Sequence, residues 1–325
     1  MTRGCDATDE TPREVVLDPA ITKLLAAMST PPTLQQLGPH DGRAALREAQ
    51  RDSTAVRDTN AEFLTCPAGP SGLTGFWRIR PGGLSGRLPG VVYLHGGRWM
   101  FGDADTHAHI IDEMAQHCRA CLIVPEYTRT PEARYPVALE ECYAVMTWVY
   151  RHADDLGIDP RNLAIAGDCV GATLAIAVCL LAKSRGGPRL RAQLLYYPPT
   201  DASCSSGSYD IFAEGFLLTR DELRWYWDQY CDDDGGVATV SPRYATTDEL
   251  AGLPPTMVIT AEADVVRDEG AAFAAKLRAA GVPVTSIRYL GTIHDFVALR
   301  QLSNTPPTRA ALAQGVWFLS TALHR

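Results

Sequence analysis

Two periodicities alternate along most of the chain. From Phe76 onward, short runs rich in apolar residues predict strands: FWRIR, GVVYLHGG, CLIVPEY, NLAIAG, AQLLYYP, TMVITAEAD and VTSIRYL. Helical spacing falls between several of them. PVALEECYAVMTWVYRHA puts Ala138, Cys142, Val145 and Val149 in register, ATLAIAVCLLAKSR reads as a buried helix, and Gly281 ends DEGAAFAAKLRAAG. TRAALAQGVWFLSTALHR closes the chain as a further helix. Strands apolar on both faces, alternating with helices, predict a mostly parallel sheet covered on both sides. Ligands of such sheets sit at the carboxyl ends of strands. The loops after YLH, AIAG, ITAEA and RYL should therefore converge on one site.

The first part of the chain follows a different pattern. Residues 1–60 are polar and read as helical. DPAITKLLAAM places Ile21, Leu24, Leu25 and Met28 on one face, TPPTL breaks that helix, and DGRAALREAQRD forms a second short one. A second interruption spans residues of about 202–250, far longer than the ~4–6 residues of an ordinary connection. It holds LLTRDELRWYWDQYCDDD, with Trp225, Tyr226, Trp227 and Tyr230. The expected organisation is an N-terminal helical segment, 1–60, and a catalytic domain, 61–325. The 202–250 insertion should pack with the N-terminal helices as a lid.

Composition narrows the function classes. With 325 residues, 46% of them hydrophobic, the chain suits one α/β enzyme with a lid and excludes wholesale disorder. A net charge of −8 argues against nucleic acid or an anionic membrane as the main partner. No apolar run reaches the ~18 residues of a membrane span. MTRGCDATDETPREV lacks an apolar signal core, so the expected compartment is the cytoplasm. The nine cysteines are scattered and odd in number, unlike a disulfide framework. Cys118 and Cys121 make one CxxC, and without a second pair they read as structural thiols. No metal and no cofactor is expected. GGLSGR, from Gly82 to Arg87, precedes a strand rather than a helix and so is no phosphate loop.

One turn carries the candidate chemistry. GDCVGA, from Gly167 to Ala172, fits G-x-nucleophile-x-G, with Cys169 between a strand and a helix. The N-terminus of that helix favours a thiolate, the reactive form of cysteine. The Val170 N–H is placed to hold a developing oxyanion. Three other stretches join it. Gly96 and Gly97, in HGGRW, offer the second half of an oxyanion hole at a strand end, with His95 a loop-shaping hydrogen bonder rather than the base. TAEADVVRDEG offers Asp264 and Asp268. Asp264 is the choice to orient an imidazole, because Asp268 begins the next helix. His294 follows the last strand in YLGTIHDF. The order nucleophile, acid, histidine is that of an α/β-hydrolase triad.

These stretches resemble the hormone-sensitive-lipase-like esterases, a branch of the α/β-hydrolase superfamily, over about residues 88–300. HGGRW stands for HGGGW, EYTRTPEARYP for Y-R-x-x-P-E-x-x-[FY]-P and GDCVGA for GDSAGG. YYPPTD, GFLLTRDEL, LPPTMVITAEADVVRDEG and GTIHDF follow in the family's order. The resemblance implies an α/β-hydrolase fold with a mostly parallel central sheet, helices on both faces and a helical lid. It places Cys169, Asp264 and His294 at the triad positions and Gly96, Gly97 and Val170 in the oxyanion segments. Three residues depart from its pattern. Cys169 replaces serine, Arg98 replaces the third glycine of HGGG, and Asp295 replaces the glycine after the histidine. One engineered serine replacement would not explain the other two changes. At its position Arg98 is also expected to donate an oxyanion N–H.

A Cys-His-Asp triad implies an acyl-thioester intermediate. That suits a small carboxylic ester or thioester substrate, with hydrolysis, acyl transfer, cyclisation and elimination all open. Arg98 and Asp295 should approach each other and bias the charge of His294, or Arg98 should read an anionic group on the substrate. Arg98, Asp168 and Asp295 are the expected substrate contacts. The alternative is a non-catalytic small-molecule receptor on the same scaffold, although three reactive triad positions are more than a binder requires. A homodimer is left open.

Overall fold

The computed structural model describes residues 15–28, 31–51, 58–232 and 236–325. Cys5 and most of the N-terminal stretch read for a secretion signal lie outside the described residues. The sheet contains β1 (Thr59–Cys66), β2 (Thr74–Pro81), β3 (Leu88–Leu94), β4 (Cys121–Pro125), β5 (Ile158–Asp168), β6 (Gln193–Tyr196), β7 (Thr256–Ala263) and β8 (Val284–Ile293). Their order is β1-β2-β4-β3-β5-β6-β7-β8. The β1–β2 and β2–β4 pairs are antiparallel, and every later pair is parallel.

The helices are α1 (Pro19–Met28), α2 (Leu34–Gln50), α3 (Ala108–Cys118), α4 (Val137–Arg151), α5 (Val170–Ser184), α6 (Gly207–Ile211), α7 (Arg220–Tyr230), α8 (Thr247–Leu250), α9 (Arg267–Ala279) and α10 (Pro306–Leu323). α3 and α10 pack together on one face of the sheet, and α4, α5 and α9 cover the other. The burial follows from the sequence. β4 and β6 are buried at every position, β4 as an apolar run and β6 as an apolar run led by Gln193, and α5 is buried nearly all round, as a helix without a polar face must be. Among the described residues no helix is long and apolar enough to cross a membrane.

Two elements differ from the sequence expectation. β1 begins at Thr59, inside the segment expected to be helical, and is exposed along most of its length. It is an edge strand held by its ladder to β2 and by an ion pair between Glu62 and Arg78. α3 was not expected, and it buries Ile110, Ile111, Met114, Ala115 and Cys118. Its last residue, Cys118, and nearby Cys121 are free and buried, with thiols pushed up to about 12 and about 11 by burial.

The second N-terminal helix, α2, and the insertion meet at one loop, residues 96–102. From α2, Arg43 donates to the Met100 and Thr130 carbonyls, and Gly42 packs on the Phe101 ring. From α7, Trp227 and Tyr230 lie on Trp99 with centroids 4.3 Å away, and Tyr226 meets Phe101 edge to face. A capping box between Thr219 and Glu222 starts α7, so its aromatic face has a fixed entry onto that loop.

Candidate active site

β5 ends at Asp168 and α5 begins at Val170, leaving Cys169 alone on the turn. Its backbone is left-handed, with φ +50° and ψ −128°. Such a conformation costs on the order of 1–3 kcal/mol and persists only where the surroundings enforce it. Here the Cys169 N–H donates to the Tyr196 carbonyl at 2.9 Å, tying the turn to β6. Gly171 supplies the close approach on the other side. A Cβ there would lie 2.5 Å from the His95 carbonyl oxygen and closer still to that of Leu94. The turn thus presents Sγ at the carboxyl end of the sheet, beside the end of β3.

Three distant stretches meet there. Cys169 Sγ is 3.0 Å from His294 Nε2, across 125 residues. His294 Nδ1 is 2.8 Å from Asp264 Oδ2. Asp264 Oδ1 accepts the Val266 N–H at 3.1 Å, which fixes the carboxylate at the end of β7. Asp268 lies in the first turn of α9 and pairs with Arg267 at 2.7 Å, away from the imidazole. Tyr197, which no sequence signal singled out, packs its ring 4.9 Å from that of His294. Its hydroxyl accepts the Ala298 N–H at 3.2 Å, so it holds the loop bearing the histidine.

The loop after β3 curls over the thiol. Gly97 has φ +112°, and a Cβ there would lie 2.6 Å from the Phe101 carbonyl carbon. Arg98 and Trp99 both have φ +57°, so three successive left-handed residues form the curl. Among the described residues no hydrogen bond engages the N–H of Gly97 or Arg98. Val170 is the first residue of α5, where N–H groups lack intrahelical acceptors. Gly96 corrects the expectation. Its N–H donates to Asp168 Oδ1 at 2.9 Å and is not free for an oxyanion.

The alpha/beta hydrolase fold family matches residues 91–298. Carboxylesterase NlhH of Mycobacterium tuberculosis is 33% identical over 328 residues, covering 98% of this chain and 99% of its own. Carboxylic ester hydrolase LipN of the same organism is 37% identical over 242 residues, covering 72% of this chain and 64% of its own. A thermostable esterase from Pseudomonas putida ECU1011 superposes with a TM-score of 0.92 at 39% identity, covering 96% of this chain and 98% of that one. This chain belongs to the α/β-hydrolase family. Within it the chain groups with the hormone-sensitive-lipase-like esterases.

In this α/β-hydrolase the two charged departures sit over the thiol. Asp295 Oδ1 is 3.4 Å from His294 Nε2, and Asp295 Oδ2 is 3.9 Å from an Arg98 nitrogen. The Arg98 guanidinium also lies over the Tyr226 ring, 5.8 Å from its centroid. Burial alone would push the His294 imidazole down, but the carboxylates of Asp264 and Asp295 outweigh it and hold the ring well above its ordinary range. Burial pushes the Cys169 thiol up, and Asp295 adds to that, while His294 and Arg98 oppose it. The two carboxylates thus favour the protonated imidazole, and burial favours the neutral thiol.

Asp168 requires a second correction. It does not line the cleft. It is fully buried beneath the loop, where Oδ1 also accepts the Tyr93 hydroxyl at 2.6 Å and Oδ2 faces His107 Nε2 at 3.4 Å. Burial would raise its carboxyl, but His107, Tyr93 and the Gly96 N–H together hold it low. A buried carboxylate needs such donors, and meeting that need anchors the first glycine of the loop. His95 does shape the loop. Its Nδ1 is 2.8 Å from the Gly96 carbonyl oxygen, and Tyr127 stacks on the ring at 4.4 Å. Burial and the charge of His107 lower His95 to about 3, so it stays neutral.

Proposed function

We propose that this α/β-hydrolase cleaves small carboxylic esters or thioesters through an acyl-thioester on Cys169. The supporting observation is the unbroken chain from Sγ through His294 to Asp264, with contacts of 3.0 and 2.8 Å. The esterase and carboxylesterase names of the relatives support the class of bond.

In this reading the cycle starts with His294 protonated. The thiol gives its proton to solvent, and the resulting thiolate is paired with the His294 imidazolium. Sγ attacks the carbonyl carbon, and the electron pair moves onto oxygen. The N–H groups of Gly97, Arg98 and Val170 are the donors that would receive that charge. When the intermediate collapses, the alkoxide or thiolate leaving group takes the proton from His294 Nε2. The neutral imidazole then removes a proton from water, or from another acceptor, as it attacks the thioester. Cysteine leaves as thiolate, and the ion pair is restored.

In this reading the substrate approaches past the charged pair. Sγ is nearly inaccessible, whereas the side chains of Arg98 and Asp295 are 11% and 16% exposed. A substrate entering there meets both, which supports a role for them in binding. α2 and the 202–250 insertion brace the same loop, and with α1 they act as the lid in this reading.

Turnover of p-nitrophenyl acetate and of an acyl thioester, with Cys169→Ala as control, tests the proposal. Turnover that disappears in the variant is the expected result. Equal turnover by both forms, or tight ligand binding with turnover by neither, would overturn it.

A further inference from the structure

Two residues that depart from the family pattern bring a second kind of chemistry to the same place. Cys169 Sγ, His294 Nε2 and a carboxylate oxygen of Asp295 all lie within 4.8 Å of one another. Among the described residues this is the one cluster of three such donors. We propose that these three atoms form a binding site for a borderline-soft divalent cation, best suited to Zn2+, whose occupancy reversibly blocks the nucleophile. The binding does not depend on whether the chain turns over esters.

The donor set and its spacing support this. Thiolate, imidazole and carboxylate are the zinc ligands, and three of them with an open position is the arrangement of a reactive rather than a structural site. Tetrahedral zinc with ordinary bond lengths places its donors about 3.4–3.6 Å apart. The Nε2–Oδ1 distance of 3.4 Å already fits, the Sγ–Nε2 distance of 3.0 Å needs to open by about half an ångström, and Sγ and the Asp295 oxygen lie within the 4.8 Å span of the cluster.

The surroundings support it too. Asp264 takes the other nitrogen of His294, the contact that fixes the ring of a zinc-bound histidine. Arg98 faces Asp295 Oδ2, leaving Oδ1 turned toward the imidazole. The ion replaces the thiol proton and the proton on Nε2, both released to solvent, and no atom is oxidised or reduced. Its two positive charges and that of Arg98 balance the thiolate and the two carboxylates. With serine and glycine at 169 and 295, two of the three ligands would be gone.

The experiment uses the full chain after treatment with a chelator, titrated with Zn2+ by calorimetry and with Co2+ by absorption. We expect one ion per chain, a thiolate-to-cobalt charge-transfer band, and loss of iodoacetamide labelling at Cys169 that EDTA reverses. Cys169→Ser should abolish the band. Asp295→Gly and Asp295→Asn should each weaken Zn2+ binding by roughly tenfold or more, the scale seen when a metal site loses a supporting contact. Thermal unfolding of each variant without metal checks that it folds. Unchanged affinity in whichever Asp295 variant folds, or one-ion binding that survives Cys169→Ser, would overturn the proposal.

Discussion

Asp295 Oδ1 lies 3.4 Å from His294 Nε2, the nitrogen that also faces Cys169 Sγ at 3.0 Å. When Nε2 carries a proton, two acceptors compete for it, and one of them is a carboxylate beside the thiol. Removing it with Asp295→Gly should favour the thiolate and leave the imidazolium to Cys169 alone. Alkylation of Cys169 by iodoacetamide at neutral pH, followed by intact mass, should become severalfold faster. An unchanged or slower rate would contradict this electrostatic account.

Asp264 acts through the histidine. Asp264→Asn keeps the shape but can no longer stabilise the imidazolium or impose its orientation. In hydrolytic triads that change costs up to about 10⁴ in kcat. A loss of about 10²–10⁴ in kcat, with the far-ultraviolet circular dichroism unchanged, is expected for ester turnover. A loss below tenfold would mean that the carboxylate is dispensable.

Gly171 sets the distance between α5 and the end of β3. Gly171→Ala would drive a Cβ into the Leu94 and His95 carbonyls, which cannot yield like a flexible side chain. Overpacking of this kind costs about 1–3 kcal/mol. Urea unfolding should show that loss, together with reduced activity, because the displaced residues lead into the Gly97 loop. An alanine variant of natural stability would show that the contact is looser.

Glu269, on α9, gives a pH signature outside the triad. Oε1 accepts the Thr200 N–H at 2.7 Å, and burial pushes the carboxyl well above its ordinary range. The folded chain therefore holds this proton more tightly than the unfolded one. Its contribution to stability is fully present below the ordinary carboxyl value of about 4.3 and declines as pH rises from there through the folded value. Glu269→Gln should remove that decline. The stability of the variant relative to the natural chain, from urea unfolding at a series of pH values, should grow with pH. A difference that stays constant would contradict the assignment.

Much of the site is legible in the sequence because its parts sit at strand ends in a fixed order. Cys169 between two glycines, Asp264 closing a strand and His294 after the last one can be read without coordinates. Asp264 and Asp268 separate because an acid in the first turn of a helix already has a use. The Gly96 N–H is different, since whether a backbone donor is free depends on Asp168, 72 residues away. Asp168 itself looks like a cleft residue until Tyr93 and His107 are seen to enclose it. β1 carries no pattern, because an edge strand exposed along most of its length has no apolar alternation. α3 does carry one, at Ile110, Met114 and Cys118, but His107 supplies no side-chain cap to mark its start.

The central claim is that Cys169 carries the acyl group during turnover. Rapid acid quenching after mixing with p-nitrophenyl acetate, followed by intact mass and peptide mapping, tests it directly. The account predicts one acetyl group on Cys169, absent from Cys169→Ala and persisting longer in Asp264→Asn. Steady turnover with Cys169 unmodified at every time point would contradict it.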